Sequence, residues 1–355
     1  FRKNYGWAVN MKPICVFIDP PSAHFENDEL FNLDNPALNR DGTLLPFSRI
    51  KEALRKSGID LHTADLLINN KICAKRNLYW TMGIMDNYEN LSTRNDVELC
   101  GAILFEPPLV APHMYALLPA LTQHFSSVYL HNTCGDGYNF SGLDTGKLRQ
   151  LYWPQPYGQV DEHAWTKKNR SSKLVVIAGN HNPLGRKPEY YSKRIEAIAQ
   201  LSKIGAVDLY GRGWTRWLSR QSLWTHYWFN LPSILRTYRG ACESKTEVLK
   251  NYHFCLCFEN FPMTGYVTEK IFDCFYSGTI PVYLGAPDIK NLIPAECYIQ
   301  ANENSNWVDL HRQLAAMQIG EISRMKEAGR RFIESDTFQE RYINFLSQEF
   351  VAKAI

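Results

Sequence analysis

The chain has 355 residues, enough for two domains of ordinary size that each bury a core. Hydrophobic residues make up 45% and charged ones 21%, which excludes a disordered chain, and a net charge of +3 is too small to argue for a nucleic-acid partner. No apolar run approaches the roughly 18 residues of a membrane-spanning helix, and Phe1 to Asn10 lacks the apolar core of a signal peptide.

In chain order, residues 14–18 read as a strand ending in Asp19, Pro20 and Pro21; 50–56 are helical in pattern, and a second short strand follows near Leu61. Residues 100–105 are an apolar strand run, 114–123 a helix after Pro112, and 127–130 another strand. Between 152 and 172 the chain turns polar and proline-punctuated, as a link between halves does. The second half opens with a strand at 173–178 ending in Gly179 and Asn180, then an amphipathic helix over 190–204 and a strand at 207–210 before Gly211. This alternation predicts Rossmann-like units. A closing helix from Asp336, with Asp336 and Gln339 placed as a capping box and Phe338, Tyr342, Phe345 and Leu346 apolar, runs back across both units or packs as an ordinary core helix. The predicted division is therefore 1–160, 172–335 and a closing helix over 336–355.

The most informative segment is CFENFPMTGYVTEKIFDCFYSGTIPVYLG, from Cys257 to Gly285. Residues 254–258 form an apolar strand that carries Glu259 and Asn260 to its carboxyl end, where open α/β sheets bind ligands. Pro262 and Gly265 force a loop, Thr268 is the predicted N-cap of a helix over 269–276, Gly278 suits its stop, and residues 279–284 make the next core strand. Glu269 and Lys270 then occupy the first helical turn. Free backbone N–H groups and the positive end of the helix dipole attract phosphate there, and Lys270 adds a full charge. The Glu269 carboxylate offers two acceptors for the paired hydroxyls of a ribose. Tyr266, just before the helix, is placed to cover the phosphates or a sugar ring, and Asn260 to touch the same ligand.

Phe258, Glu259, Asn260, Tyr266, Val267, Thr268, Glu269, Lys270, Gly278, Pro281, Val282 and Gly285 match in register the signature that the α1,3/4-fucosyltransferases carry, and the segment resembles that family. The resemblance is specific over 249–294, looser over 173–211 and faint before that. It implies the GT-B architecture, in which an acceptor-binding domain faces a nucleotide-sugar-binding domain, and inverting transfer of L-fucose from GDP-fucose to a glycan hydroxyl, the 3-OH of N-acetylglucosamine or glucose. It further implies a general base at Glu106, which follows the 100–105 strand and precedes Pro107 and Pro108. Asp19, Glu26, His131 and Asp136 are rival bases. Arg194 is the implied partner of the donor diphosphate, with Lys193 and Arg186 offering the same charge, and Lys245 is brought near the donor. No cofactor or metal is implied, since cationic side chains neutralise the diphosphate, and the second half has no compact Asp-x-Asp motif. A transferase using another nucleotide sugar and a silent glycan-binding protein remain alternatives.

Residues 211–240 contain Arg212, Arg216, Arg220, Arg236 and Arg239, Trp214, Trp217, Trp224 and Trp228, and no carboxylate. Such a stretch suits an anionic membrane surface, a saccharide, or core packing with solvated charge. Nine cysteines without paired ligand spacing argue against a disulfide framework and a zinc site. The expected location is the cytoplasm, at a membrane periphery or free, with the Golgi lumen as the alternative that the sequons at Asn90, Asn139 and Asn169 weakly favour.

Overall fold

The computed structural model describes residues 12–83, 87–183, 188–216 and 224–355. Its strands form two sheets. The first holds β1 (Ile14–Asp19), β2 (Asp60–Thr63), β3 (Arg76–Thr81), β4 (Val97–Ile103), β5 (Ser127–Leu130) and β6 (Leu148–Gln150). The second holds β7 (Ser171–Ile177), β8 (Val207–Tyr210), β9 (Tyr252–Phe258), β10 (Ile280–Leu284) and β11 (Ile299–Gln300). Every pairing is parallel, so each connection crosses over a face of its sheet, and the central strands are buried on both sides. That burial explains continuous apolar runs such as Val16, Phe17 and Ile18, all 0% exposed.

The spatial orders are β2-β1-β3-β4-β5-β6 and β8-β7-β9-β10-β11. Counted from each unit's own first strand, both wind in the same doubly wound order, with one further strand in the first unit. The order reverses between β1 and β3 and between β7 and β9, and ligands enter such sheets at the carboxyl ends of the strands flanking the reversal. In the second unit those ends are Ile177 to Asn180 and Phe258 to Asn260.

Three local expectations are corrected. The single helix expected over 114–123 is two, Pro112–Ala116 and Leu118–His124; Pro119 lacks the N–H needed to continue the first turn. The cap of the closing helix lies one residue earlier than expected: Ser335 Oγ accepts from Phe338 N at 3.3 Å, while Gln339 Nε2 donates to Gly158 O (2.9 Å) and Ile333 O (3.1 Å). Thr268 holds the N-cap position of the helix Glu269–Tyr276, but its side chain makes no capping bond.

Residues 336–354 run as a short helix Asp336–Phe338, a π turn Gln339–Asn344 and a helix Phe345–Ala354. The two ends face different cores. Phe338 and Tyr342 pack with Phe272 and Phe332 of the second unit, whereas Leu346, Phe350 and Ala354 join Ile18, Ile50 and Leu54 of the first. Phe350 stacks on Trp80 at 3.8 Å between ring centroids, and Tyr129 donates its hydroxyl to Glu349 at 2.5 Å. Arg49 fastens the link between units by donating to the carbonyls of Pro156 (2.8 Å), Gln155 (3.2 Å) and Ile343 (3.3 Å).

Candidate functional site

The two sheets face each other across a cleft of about 1090 Å³. Glu106 enters it from the first unit; Arg194, Lys245, Asn260, Tyr266, Glu269 and Lys270 enter from the second. Seven of the expected site residues are thereby brought together, and the eighth, Thr268, lies buried directly behind them.

The second unit's side is organised by Glu259, which is 0% exposed at the end of β9. Its carboxylate accepts from Thr268 N (2.8 Å), Thr268 Oγ1 (2.8 Å) and Lys270 Nζ (3.1 Å). Glu259 thus ties the strand end to the helix start, and Thr268 is turned away from capping to serve it. Lys270 Nζ also meets Thr268 Oγ1 at 2.7 Å and lies 3.8 Å from Glu269. Burial disfavours the Lys270 ammonium, but Glu259 and Glu269 outweigh it and push its pKa above the ordinary lysine range. Burial likewise opposes the Glu269 carboxylate, and Lys270 with Lys245 overcomes it, lowering that pKa to about 2. Both first-turn groups are therefore charged at neutral pH.

Lys245 sits beneath this pair. Its Nζ contacts Asp273 at 2.7 Å and Glu269 at 3.6 Å, and its backbone N–H donates to Asp41 of the first unit at 3.1 Å. Arg194 is 4% exposed on the helix Tyr191–Ser202; Nη2 donates to the carbonyls of Phe258 (3.0 Å) and Glu259 (3.5 Å). Of its rivals, Lys193 pairs with Glu196 at 3.2 Å, and Arg186 falls outside the described residues.

On the first unit's side, Glu106 follows β4 and is half-buried. Burial raises its pKa, a shift that Lys270 across the cleft only partly offsets. His131, 0% exposed at the end of β5, donates from Nε2 to Phe105 O at 2.7 Å and so fixes the backbone next to Glu106. Burial lowers the His131 pKa to about 4, so the ring is neutral. The other rival bases are occupied or remote. Asp19 accepts from Tyr79 Oη (2.5 Å) and Asn87 Nδ2 (2.9 Å), Asp136 accepts from Thr264 N at 2.7 Å, and Glu26 does not line the cleft.

The loop 261–265 crosses from β9 to the first unit. Thr264 is held by Asp136 and by Asn132 Nδ2, which donates to Thr264 O at 3.3 Å, and Gly265 N donates to Asp288 at 2.9 Å. Gly265 has φ +74°, and a Cβ there would lie 1.9 Å from His131 O. This closeness brings Tyr266 edge-on to the His131 ring, 4.8 Å between centroids. Sequence reasoning missed His131 and Asp136 as parts of this latch, and Lys245 with Asp41 as a second contact between units. Their partners lie far off in sequence, and no local pattern marks them.

Residues 168–323 match the family model described as glycosyltransferase family 10 (fucosyltransferase), C-terminal. That match spans strands β7 to β11 of the second unit and somewhat under half of the chain. The α-(1,3)-fucosyltransferase FucT of Helicobacter pylori is 37% identical to this chain over 75 residues, 21% of the chain and 16% of that relative. A bovine 4-galactosyl-N-acetylglucosaminide 3-alpha-L-fucosyltransferase 9 is 24% identical over 165 residues, 45% of the chain and 38% of the relative. The chain thus spans well under half the length of these curated relatives. Among solved structures, sucrose-phosphate synthase of Thermosynechococcus elongatus superposes with a TM-score of 0.60 at 12% identity, covering 96% of this chain and 98% of that one. Anabaena HepE, solved with UDP and glucose, gives 0.55 at 12% identity with coverage of 96% and 98%. These likenesses concern the fold, a GT-B architecture of two facing parallel-sheet units.

Proposed function

We propose that the chain transfers L-fucose from GDP-fucose, with inversion at the anomeric carbon, to a glycan hydroxyl, the 3-OH of an N-acetylglucosamine or glucose unit. The supporting observation is the opposition, across one cleft, of the half-buried Glu106 carboxylate and the cationic start of the helix Glu269–Tyr276. The names of the H. pylori and bovine relatives support fucose as the sugar and the 3-position as its destination.

In this reading Glu106 accepts the proton of the acceptor hydroxyl as the new glycosidic bond forms. The bond from the anomeric carbon to the diphosphate breaks through an oxocarbenium-like state. Lys270, the first-turn N–H groups and the donors of Arg194 not held by Phe258 and Glu259 stabilise the departing GDP, a preorganised positive field aimed at developing negative charge. Glu269 binds the ribose hydroxyls, and Lys245 holds Glu269 in place. Asn260 and Tyr266 line the sugar, while Thr268 keeps Lys270 and Glu259 aligned. With those cations present the reaction proceeds without a metal, so turnover survives EDTA.

The first unit, residues 1–160, takes the acceptor; 172–335 takes the donor, and 336–355 joins them. No helix among the described residues is long and apolar enough to cross a membrane. The nine cysteines are free thiols, all buried except Cys73 and Cys134. They support a reducing compartment, and we place the protein in the cytoplasm.

The test is a panel of labelled nucleotide sugars with wild type and Glu106→Gln. GDP-fucose is the preferred donor, and the variant loses turnover while keeping GDP affinity. Preference for another donor replaces the fucose assignment, and unchanged turnover in the variant dismisses Glu106 as the base.

A further inference from the structure

The helix Thr225–Thr237 buries Tyr227, Ile234 and Thr237 against its own unit and leaves Trp228, Phe229, Pro232 and Leu235 outward. These outward positions recur at helical spacing and form one stripe. Phe229 is 84% exposed and Leu235 50%, a large apolar surface for a protein to leave in water. The end of the neighbouring helix adds to it: Ser202 Oγ donates to Ser233 O at 3.2 Å, and Ile204, two residues on, is 48% exposed.

Two unpaired cations flank this stripe. Lys203 and Arg236 are exposed beside it, and neither forms an ion pair among the described residues. Asp208 pairs with Arg239 at 2.8 Å, and Glu196 pairs with Lys193 at 3.2 Å and lies 3.9 Å from His226 on this helix. From Tyr210 to Cys242 the chain carries no carboxylate.

We propose that this face docks on an anionic lipid surface, with Phe229 and Leu235 entering the boundary between headgroups and acyl chains and Lys203 and Arg236 against lipid phosphates. An apolar stripe rimmed by unpaired cations matches such a surface in both polarity and charge. A second copy of the chain fits less well, since a two-fold contact through the stripe sets its cations against their own equivalents. The proposal is independent of the transferase reading.

The experiment is co-sedimentation of the full chain with phosphatidylcholine vesicles, with and without phosphatidylglycerol, alongside sedimentation equilibrium of the protein alone. The expected result is binding to the anionic vesicles that is about tenfold stronger than to neutral ones and weakens with salt. The double variant Phe229→Ser/Leu235→Ser loses about tenfold in that binding. Ile319→Ser, at a site 79% exposed elsewhere, leaves it unchanged. Circular dichroism confirms that the variants fold, which their solvent-facing positions allow. Equal binding to both vesicle types, equal loss in both variants, or a dimer abolished by the double variant overturns the proposal.

Discussion

Glu106 makes the sharpest demands at the scale of one residue. As the proposed base, Glu106 must be ionised to act, and burial raises its pKa, so the acid limb of kcat/KM should fall above the ordinary 4.5 of a glutamate. Glu106→Gln should lower kcat by about 10²- to 10⁴-fold, and its residual rate should lack that limb. Stability runs the other way. A pKa raised on folding contributes stability at low pH that is lost as pH rises through the folded value, so at neutral pH the glutamine variant should melt no lower than wild type. Glu269 has the opposite sign: lowered from 4.5 to about 2, it contributes above its unfolded pKa, and that contribution fades as pH falls through this window. Lys270→Ala should weaken GDP binding by about ten- to a hundredfold in calorimetry, the worth of one or two charge-assisted bonds. It should also lower Tm, because Glu259 is left wholly buried with one partner fewer, and Lys270→Arg should recover part of that loss.

The elements of the fold and of the site differ in how far sequence reveals them. The helix Glu269–Tyr276 was legible to the residue. Its apolar face, the Thr268 boundary and Gly278 at φ +63° are local signals set by backbone sterics. The strand β3, RNLYWT, was missed, because its polar Asn77 is buried by satisfying itself against Ala74 and Asp96 rather than by being apolar. The loop 261–265 was legible as a loop but not as a latch, since Thr264 finds Asp136 at a separation of 128 residues. Glu106 could be singled out from its strand end and its likeness to a family; that His131 holds the peptide beside it could not. Gly265→Ala tests the latch. At φ +74° and 1.9 Å from His131 O, the added methyl should cost at least about 1–3 kcal/mol of stability in thermal melts. It should lower kcat more than GDP affinity, because it separates the units while leaving Lys270 in place.

At the scale of the whole molecule, the transferase reading requires the two units to stay in register. The closing segment does this by placing Tyr342 in one core and Phe350 in the other. Its apolar pattern was visible in sequence, whereas the π turn that rotates its two halves toward different cores was not, as tertiary packing decides it. Phe350→Ala should cost about 3–5 kcal/mol in denaturant unfolding through the cavity left beside Trp80. Loss of activity should precede global unfolding as denaturant is added, since Glu106 and Lys270 then lose their alignment before either core melts.

In the proposed function the helix start at Glu269 and Lys270 grips the diphosphate of an activated sugar. A crystal structure with GDP tests it most directly. The expected result is the diphosphate within hydrogen-bonding distance of Lys270 Nζ and the first-turn N–H groups, with the ribose on Glu269. A nucleotide bound elsewhere, with that pair untouched, would contradict it.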